Sequence, residues 1–395
     1  MITRDTFSPF TPFISMDEGY RKRMAERYSR LTASQKPSIP LCLNCNQPSY
    51  LTHVCGKTGF YHNVQGNSRT VCGVPIDSEM RQVSGSQLVD LISKFRIKWE
   101  KSRVGKVLID ESSASLLQSF CQSIQWRPSV HGILYGTFRE SEKIVEVHSI
   151  YEVEQICTGE GLKEELDSRI SNVDNLAKLL GFQRVGVIIA HCSSPGQPTV
   201  LGEELLWAIQ SQSRFGEDSV IVTLTPDADN ESTHVEAWQA SQQSVDLFRS
   251  QHLCRSEHPG CVHATTAVEI AESLEGKRKA DSTSSSHEID VAWLIAPIAV
   301  EAFRSPVLSN LFVRIHRLEC QPPSVENLRV FMNDPKRRQL PFLEKVNDFH
   351  LLIYLMEQLL DATVDIPLLV HAIQTKDMES VEGIKLIIDS CCDIL

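Results

Sequence analysis

Four cysteines crowd one short stretch near the N-terminus: Cys42, Cys45, Cys55 and Cys72. Two residues separate Cys42 from Cys45, the spacing of a knuckle whose thiolates reach one Zn²⁺ from a tight turn. Zinc takes four sulfur or nitrogen ligands in a tetrahedron, so a second pair is needed from Cys55, Cys72, His53 and His62. The stretch has little apolar content beyond Val54, Phe60 and Tyr61. A structural ion is therefore expected to hold it, since metal binding contributes folding free energy outright. With a single CxxC knuckle rather than two, a loop of free thiols is the alternative. A second run, His252, Cys254, His258, Cys261 and His263, also packs ligating residues closely. It matches no known arrangement, and a solvated helix end plus loop accounts for it better than metal does. Lys277-Arg278-Lys279 reads as part of a solvated loop before a nuclear targeting patch. Two chemistries drop out: there is no GxxxxGK[ST] phosphate loop, so the chain does not supply an ATPase, and no GxSxG elbow of a serine hydrolase.

The totals narrow the class. A chain of 395 residues has room for two or three domains, each with its own core. A net charge of −11 argues against non-specific binding of nucleic acid by the whole surface. No apolar run reaches the roughly 18 residues of a membrane span. The first twelve residues are polar and lack the apolar stretch of a secretory signal. The 12 cysteines are then expected as thiols or metal ligands, in the cytosol or nucleus.

The elements that must position these residues follow from periodicity. Tyr20 to Arg30 reads as one helix, and Pro37 and Pro40 then break regular structure. Residues 86–99 carry Leu88, Leu91, Ile92, Phe95 and Trp99 at helical spacing. Leu116, Leu117, Phe120, Cys121 and Ile124 mark a further helix, and His131–Gly136 and Lys143–Tyr151 are strands. Ile170, Val173, Leu176 and Leu180 stripe a helix that Gly181 can end in the left-handed conformation. Val185–Ala190 is a central strand, Glu203–Gln212 a helix, Val220–Leu224 and residues 233–238 strands, and Ser241–Gln251 a helix. This order predicts one mixed sheet flanked by helices, an α+β class. Gly276–Glu288 is polar and Ser-rich, a mobile loop or linker. Beyond it, Ile289–Pro297 and Leu311–Leu318 read as strands, one helix covers Phe342 to Leu360, a second opens at Pro367 after an Asp365 cap, and Ser380–Asp393 makes a third. The stripe over 342–360 is expected to pack a core rather than line a partner groove. The expected layout is an N-terminal segment 1–40, a zinc-binding module 41–83, a sheet domain with leading helix 84–255, and a C-terminal domain 256–395 with a flexible loop at 274–288.

Four stretches in register carry a resemblance. Leu340-Pro341-Phe342-Leu343-Glu344-Lys345-Val346-Asn347-Asp348-Phe349-His350-Leu351-Leu352 resembles the "LPF…SDFHLL" segment of the nuclear protein localisation protein 4 family. Gly181-Phe182-Gln183-Arg184-Val185-Gly186 is similar to its "GLxRVG" strand entry, and His131–Gly136 with Val145–Val147 and Ile150–Glu152 to its "GxLYG … VEAIYEPPQ" pair. Leu386–Ser390 closes the match, which covers about residues 84–395. The resemblance implies an inactive MPN-type domain and a C-terminal domain following zinc-binding modules. It further implies a non-catalytic adaptor that binds ubiquitin or ubiquitylated proteins, pairs with ubiquitin fusion degradation protein 1 and delivers cargo to the valosin-containing AAA ATPase. Proteasomal and ER-associated degradation would follow, in cytoplasm and nucleus, with peripheral association with ER membrane complexes. The resemblance is to a short form, expected to lack the family's ubiquitin-like N-terminal domain and the C-terminal zinc finger of animal members. Its "CxHGxxGxCxxC" zinc pattern is not reproduced.

An active MPN protease, the enzyme alternative, needs a glutamate on an early strand, a His-x-His pair, and Ser-x-x-Asp about eight residues on. Two histidines and the aspartate bind Zn²⁺, and the glutamate takes a proton from bound water. With Gly186 set on the family's strand glycine, Ile189 stands at the first histidine and His191 at the second. The serine and aspartate positions fall on Gly202 and Leu205, or on Thr199 and Gly202 without a gap. Glu203 and Glu204 are adjacent, and helix geometry is expected to aim them away from one point shared with His191; Glu146 is the candidate base. One ligand of three remains, so catalytic silence is expected, with His191 in a capping or hydrogen-bonding role. A structural MPN subunit of a larger assembly is the third possibility.

Overall fold

A computed structural model describes residues 69–71, 74–76, 95–154, 157–158, 161–162, 167–192, 198–226, 233–270, 286–315, 317 and 320–393. The helix expected at Tyr20–Arg30, the ligand set Cys42, Cys45, His53, Cys55, His62 and Cys72, and most of the helix 86–99 lie outside them. The described end of that helix differs from expectation. Arg96–Ile97 is a short strand and Trp99 is exposed.

The chain forms two compact units. The larger takes residues 100–250, 255–262 and 290–395. Its seven strands are β1 (Lys106–Asp110), β2 (Val130–Arg139), β3 (Ile144–Glu152), β4 (Gln183–Ala190), β5 (Val220–Pro226), β6 (Thr233–Ala240) and β7 (Ile295–Phe303). They pair in the order β5-β6-β7-β1-β3-β2-β4, and β4 returns to β5, so the expected sheet closes into a barrel. It is mixed: β1 runs parallel to β3 and β7, and β4 to β5, while the remaining pairs are antiparallel. Closure leaves no open edge among these strands. Strand β7 comes from beyond residue 255, so the barrel draws on both sides of the expected boundary there.

Two glycines of the resembling motifs make the strand approaches possible. A Cβ on Gly136 would lie 1.8 Å from the Glu146 carbonyl oxygen, where β2 bulges against β3, and one on Gly186 would lie 2.1 Å from that of Val220. No side chain fits at either place.

Alternate residues of β2 feed two cores: Leu134 packs with α1 (Glu111–Ser123), while Ile133 and Tyr135 pack with α2 (Ile170–Leu179) and the C-terminal helices. Helix α2 ends as expected in a Schellman turn, with Gly181 at φ 82°, Phe182 N–H on Ala177 O at 2.8 Å and Gly181 N–H on Lys178 O at 3.0 Å. Helix α3 spans Gly202–Phe215 and α4 spans Gln242–Arg249, capped by Ser241. At the C-terminus, α5 (Val325–Asn333), α6 (Phe342–Val346), α7 (Phe349–Gln358), α8 (Asp365–Thr375) and α9 (Glu382–Cys391) pack on the second core.

Several expected elements differ. The strand 289–297 is interrupted by a 3₁₀ turn, Val291–Trp293, begun where Asp290 accepts from Ala292 N–H. The described residues of 311–318 form no strand. The helix expected over 342–360 is two, because Asp348 caps α7 and stops α6 from continuing. Asp365 sits inside α8 rather than capping it, and the cap is Val364.

The smaller unit takes residues 1–99, 251–254 and 263–289. In its sheet the strands Leu253–Arg255, Cys261–Ile270 and Ser286–Asp290 lie side by side, and Arg96–Ile97 pairs with Cys261–Ile270 in parallel. The last residues of the loop expected at 274–288 are thus strand.

Candidate functional site

The end of β4 carries His191, the residue set above at the second metal-ligand position of an MPN protease. His191 follows the strand, its N–H held by Leu224 O at 3.1 Å, and its ring is buried. Helix α3 brings Glu204 against it, with His191 Nδ1 at 2.6 Å from Glu204 Oε1. The other carboxylate oxygen accepts from Leu201 N–H at 2.7 Å, so Glu204 also closes the helix N-terminus. A carboxylate next to Nδ1 takes that nitrogen as donor, and Nε2 is buried without a partner. The two adjacent glutamates part: the helix starts at Gly202, whose N–H bonds Pro259 O at 2.7 Å, and this close seating brings Glu204 directly onto the His191 ring. Gly202 is needed there, since a Cβ would lie 1.9 Å from Cys261 O. Glu203 instead faces outward in an ion pair with Arg255.

The remaining positions do not assemble a metal site. Ile189 and Leu205 are hydrocarbon side chains with no exposure, and Thr199 and Gly202 bring no carboxylate. Glu146 cannot serve His191 as a base. It pairs across the sheet with Thr137, whereas Ala190 pairs with Val130, seven residues back along β2. At about 3.3 Å per residue the two ends lie on the order of 20 Å apart. Glu146 is held there by Arg139 at 2.7 Å. Among the described residues no three His, Cys, Asp or Glu side chains converge as metal ligands. The residues present do not fit a catalytic zinc.

The histidine and cysteine run 252–263 is pulled apart in the same way. His252 meets Thr265 Oγ1 at 3.2 Å and stacks edge-on with Phe95, while His263 meets Glu288 at 2.7 Å. Cys254 is exposed and Cys261 half-buried, and neither is in a disulfide.

The other resembling motifs prove to be scaffold. Arg184 makes a two-pronged bond to Asp174 of α2 at 2.7 and 2.8 Å and lies over the Phe215 ring. Tyr135 donates to the same Asp174 at 2.7 Å. Asp348 has no exposure: Oδ1 accepts from Leu351 N–H, and Oδ2 from Leu311 N–H, Phe312 N–H and the Ser309 hydroxyl.

Two buried networks carry no motif. Asp110 caps α1 through Ser113 N–H and also accepts from Ser305 N–H and Asn310, and Asn310 accepts from Ser149 at 2.6 Å. Glu152 takes a two-pronged bond from Arg317 with Arg314 at 3.6 Å, and burial pulls the Arg314 guanidinium down to about 10. A sequence reader could find Asp110 as a helix cap. Nothing local marks Glu152 or Asn310, whose partners lie about 160 residues away.

No family model matches the chain. Among individual proteins it is 25% identical over 293 residues to the "Nuclear protein localization protein 4 homolog" of Dictyostelium discoideum, covering 73% of this chain and 48% of that protein. It is 24% identical over 294 residues to an "NPL4-like protein" of Oryza sativa subsp. japonica, covering 71% and 67%. The human "Nuclear protein localization protein 4 homolog" is 24% identical over 296 residues, 63% of this chain and 48% of that protein. The matched stretch thus spans about half the length of the Dictyostelium and human relatives.

Proposed function

The chain belongs to the nuclear protein localization protein 4 family, and on that footing we propose that it is a non-catalytic recruiting adaptor of the ubiquitin system. Its cargo is ubiquitin or ubiquitylated protein, its companion ubiquitin fusion degradation protein 1, and its machine the valosin-containing AAA ATPase. Unfolding there feeds proteasomal degradation, including the ER-associated route, in cytoplasm and nucleus. Zinc on Cys42, Cys45 and two of the nearby thiols or imidazoles would hold the N-terminal module. No described helix is long and apolar enough to cross a membrane.

The observation that carries the non-catalytic part is the His191–Glu204 pair. The carboxylate that approaches the histidine is bound to its ring and to a helix terminus, and hydrocarbon fills the first-histidine position. A single imidazole does not fix zinc against water. The adaptor reading is tested by size-exclusion chromatography of the recombinant chain mixed with ubiquitin fusion degradation protein 1, then with the ATPase hexamer. Co-elution of all three at micromolar concentration is expected; separate elution refutes the adaptor.

A further inference from the structure

We infer that residues 304–315 with Arg317 form an acid-released strap between the barrel and the C-terminal helices, and that His350 is its proton sensor. The segment leaves β7 and, among its described residues, forms neither helix nor strand. Buried polar bonds stitch it on both sides. Toward the barrel, Ser305 N–H donates to Asp110 Oδ1 at 3.0 Å, and the Asn310 amide donates to His148 O at 2.8 Å. Arg317 grips Glu152 at 2.7 and 2.9 Å. Toward the C-terminal helices, Ser309 N–H donates to Asn347 O at 3.1 Å, Phe349 N–H to Ser309 O at 3.0 Å, and Phe312 N–H to Asp348.

His350, on α7, lies against both the strap and β3. It is 2% exposed, and its ring bonds the Ile150 main chain of β3. Its Nε2 is buried with no partner, so a charged ring would carry an N–H that nothing accepts. The charged groups facing the ring are the Arg314 and Arg317 guanidiniums of the strap, and both repel a proton there. The carboxylates around them are engaged: Glu152 of β3 by Arg317, and Asp348 at the head of α7 by four donors. The closed strap thus excludes the proton, by burial first and by the two arginines after it. Once the strap opens, the ring returns to water and its ordinary 6.5. A proton taken up only by the open form favours opening, about tenfold for each pH unit below 6.5. His148 sits at the other end, its Nδ1 2.8 Å from Ser305 Oγ and its ring stacked on Phe182. Burial lowers it too, but it faces Glu146 and Asp110, carboxylates that oppose the shift. His350 faces two cations instead and is the steeper sensor.

The test is hydrogen exchange of the full chain at pH 7 and pH 5, each rate divided by the intrinsic rate at that pH. Residues 305–315 and 349–356 should lose protection by up to about 25-fold between the two, the open-form uptake expected of one imidazole. Strands β2, β4 and β5 should keep theirs, since a strap opens locally without the barrel. His350→Gln retains an amide for Ile150 but cannot take up a proton, so most of the loss should vanish; His148→Gln should keep most of it. Where His350→Gln does not fold, the wild-type pattern alone decides. Equal loss in His350→Gln, loss shared evenly with the barrel strands, or unchanged protection of the strap overturns the proposal.

Discussion

Replacing Asp348 by alanine should be among the costliest single changes in the larger unit. Its carboxylate has no exposure and accepts four hydrogen bonds. The Leu351 N–H, at 3.1 Å, is a helix cap whose loss costs about 1 kcal/mol. Phe312 N–H, at 3.3 Å, is buried and would be orphaned, at about 2 kcal/mol. Leu311 N–H, at 2.6 Å, lies on a half-open segment where water can partly replace the partner, at about 1 kcal/mol. Arg337, 3.8 Å away, keeps bonds to Lys345 O and Ser309 Oγ and adds little. The sum is about 4 kcal/mol, or on the order of 10 °C in melting temperature for a unit of this size. Asp348→Asn retains the cap but turns an amide NH₂ toward N–H donors, so it should cost about 2 kcal/mol. Urea unfolding followed by circular dichroism measures both, and hydrogen exchange should quicken first at residues 309–312 and 349–352. A loss below about 1 kcal/mol for Asp348→Ala would refute the reasoning.

Two further outcomes follow. Burial, reinforced by Arg314 and Arg317, holds the His350 imidazole well below its ordinary 6.5, so it is neutral when folded. The unfolded chain takes up that proton below pH 6.5, and stability present above 6.5 is therefore lost as pH falls, by up to about 1.4 kcal/mol per pH unit. His350→Gln should flatten the slope between pH 6.5 and 5.5; an equal slope in both proteins removes His350 as its source. Purified chain should carry at least about one Zn²⁺, as a closed four-ligand site requires. Cys42→Ser with Cys45→Ser should lower that content and speed proteolysis of the segment, and wild-type protein free of zinc after chelator-free purification would leave a plain loop.

How much of this was legible along the chain differs by element. Strands β2 to β6 and helices α1 to α4 announce themselves, the helices by apolar spacing and the strands by short apolar or β-branched runs, whereas β1 is not among the expected strands. Gly181 could be read as a helix stop because the left-handed conformation is a local demand. That Ile189 and Leu205 offer no metal ligand is also plain along the chain, since a hydrocarbon side chain can ligate nothing whatever its surroundings. Only the tertiary structure decided the rest. Closure of the barrel depends on β7 reaching β1 across about 190 residues, which no local pattern encodes. The partnership of His191 with Glu204 depends on how closely α3 seats on Pro259 and Cys261, a contact between segments nearly 60 residues apart. The break between α6 and α7 was written in Asp348 but masked by an unbroken apolar stripe, and its force comes from the loop 309–312 that only folding brings to it. Periodicity reports what a residue buries; it is silent on what it is buried against, and the polar partners that define a site are of the second kind.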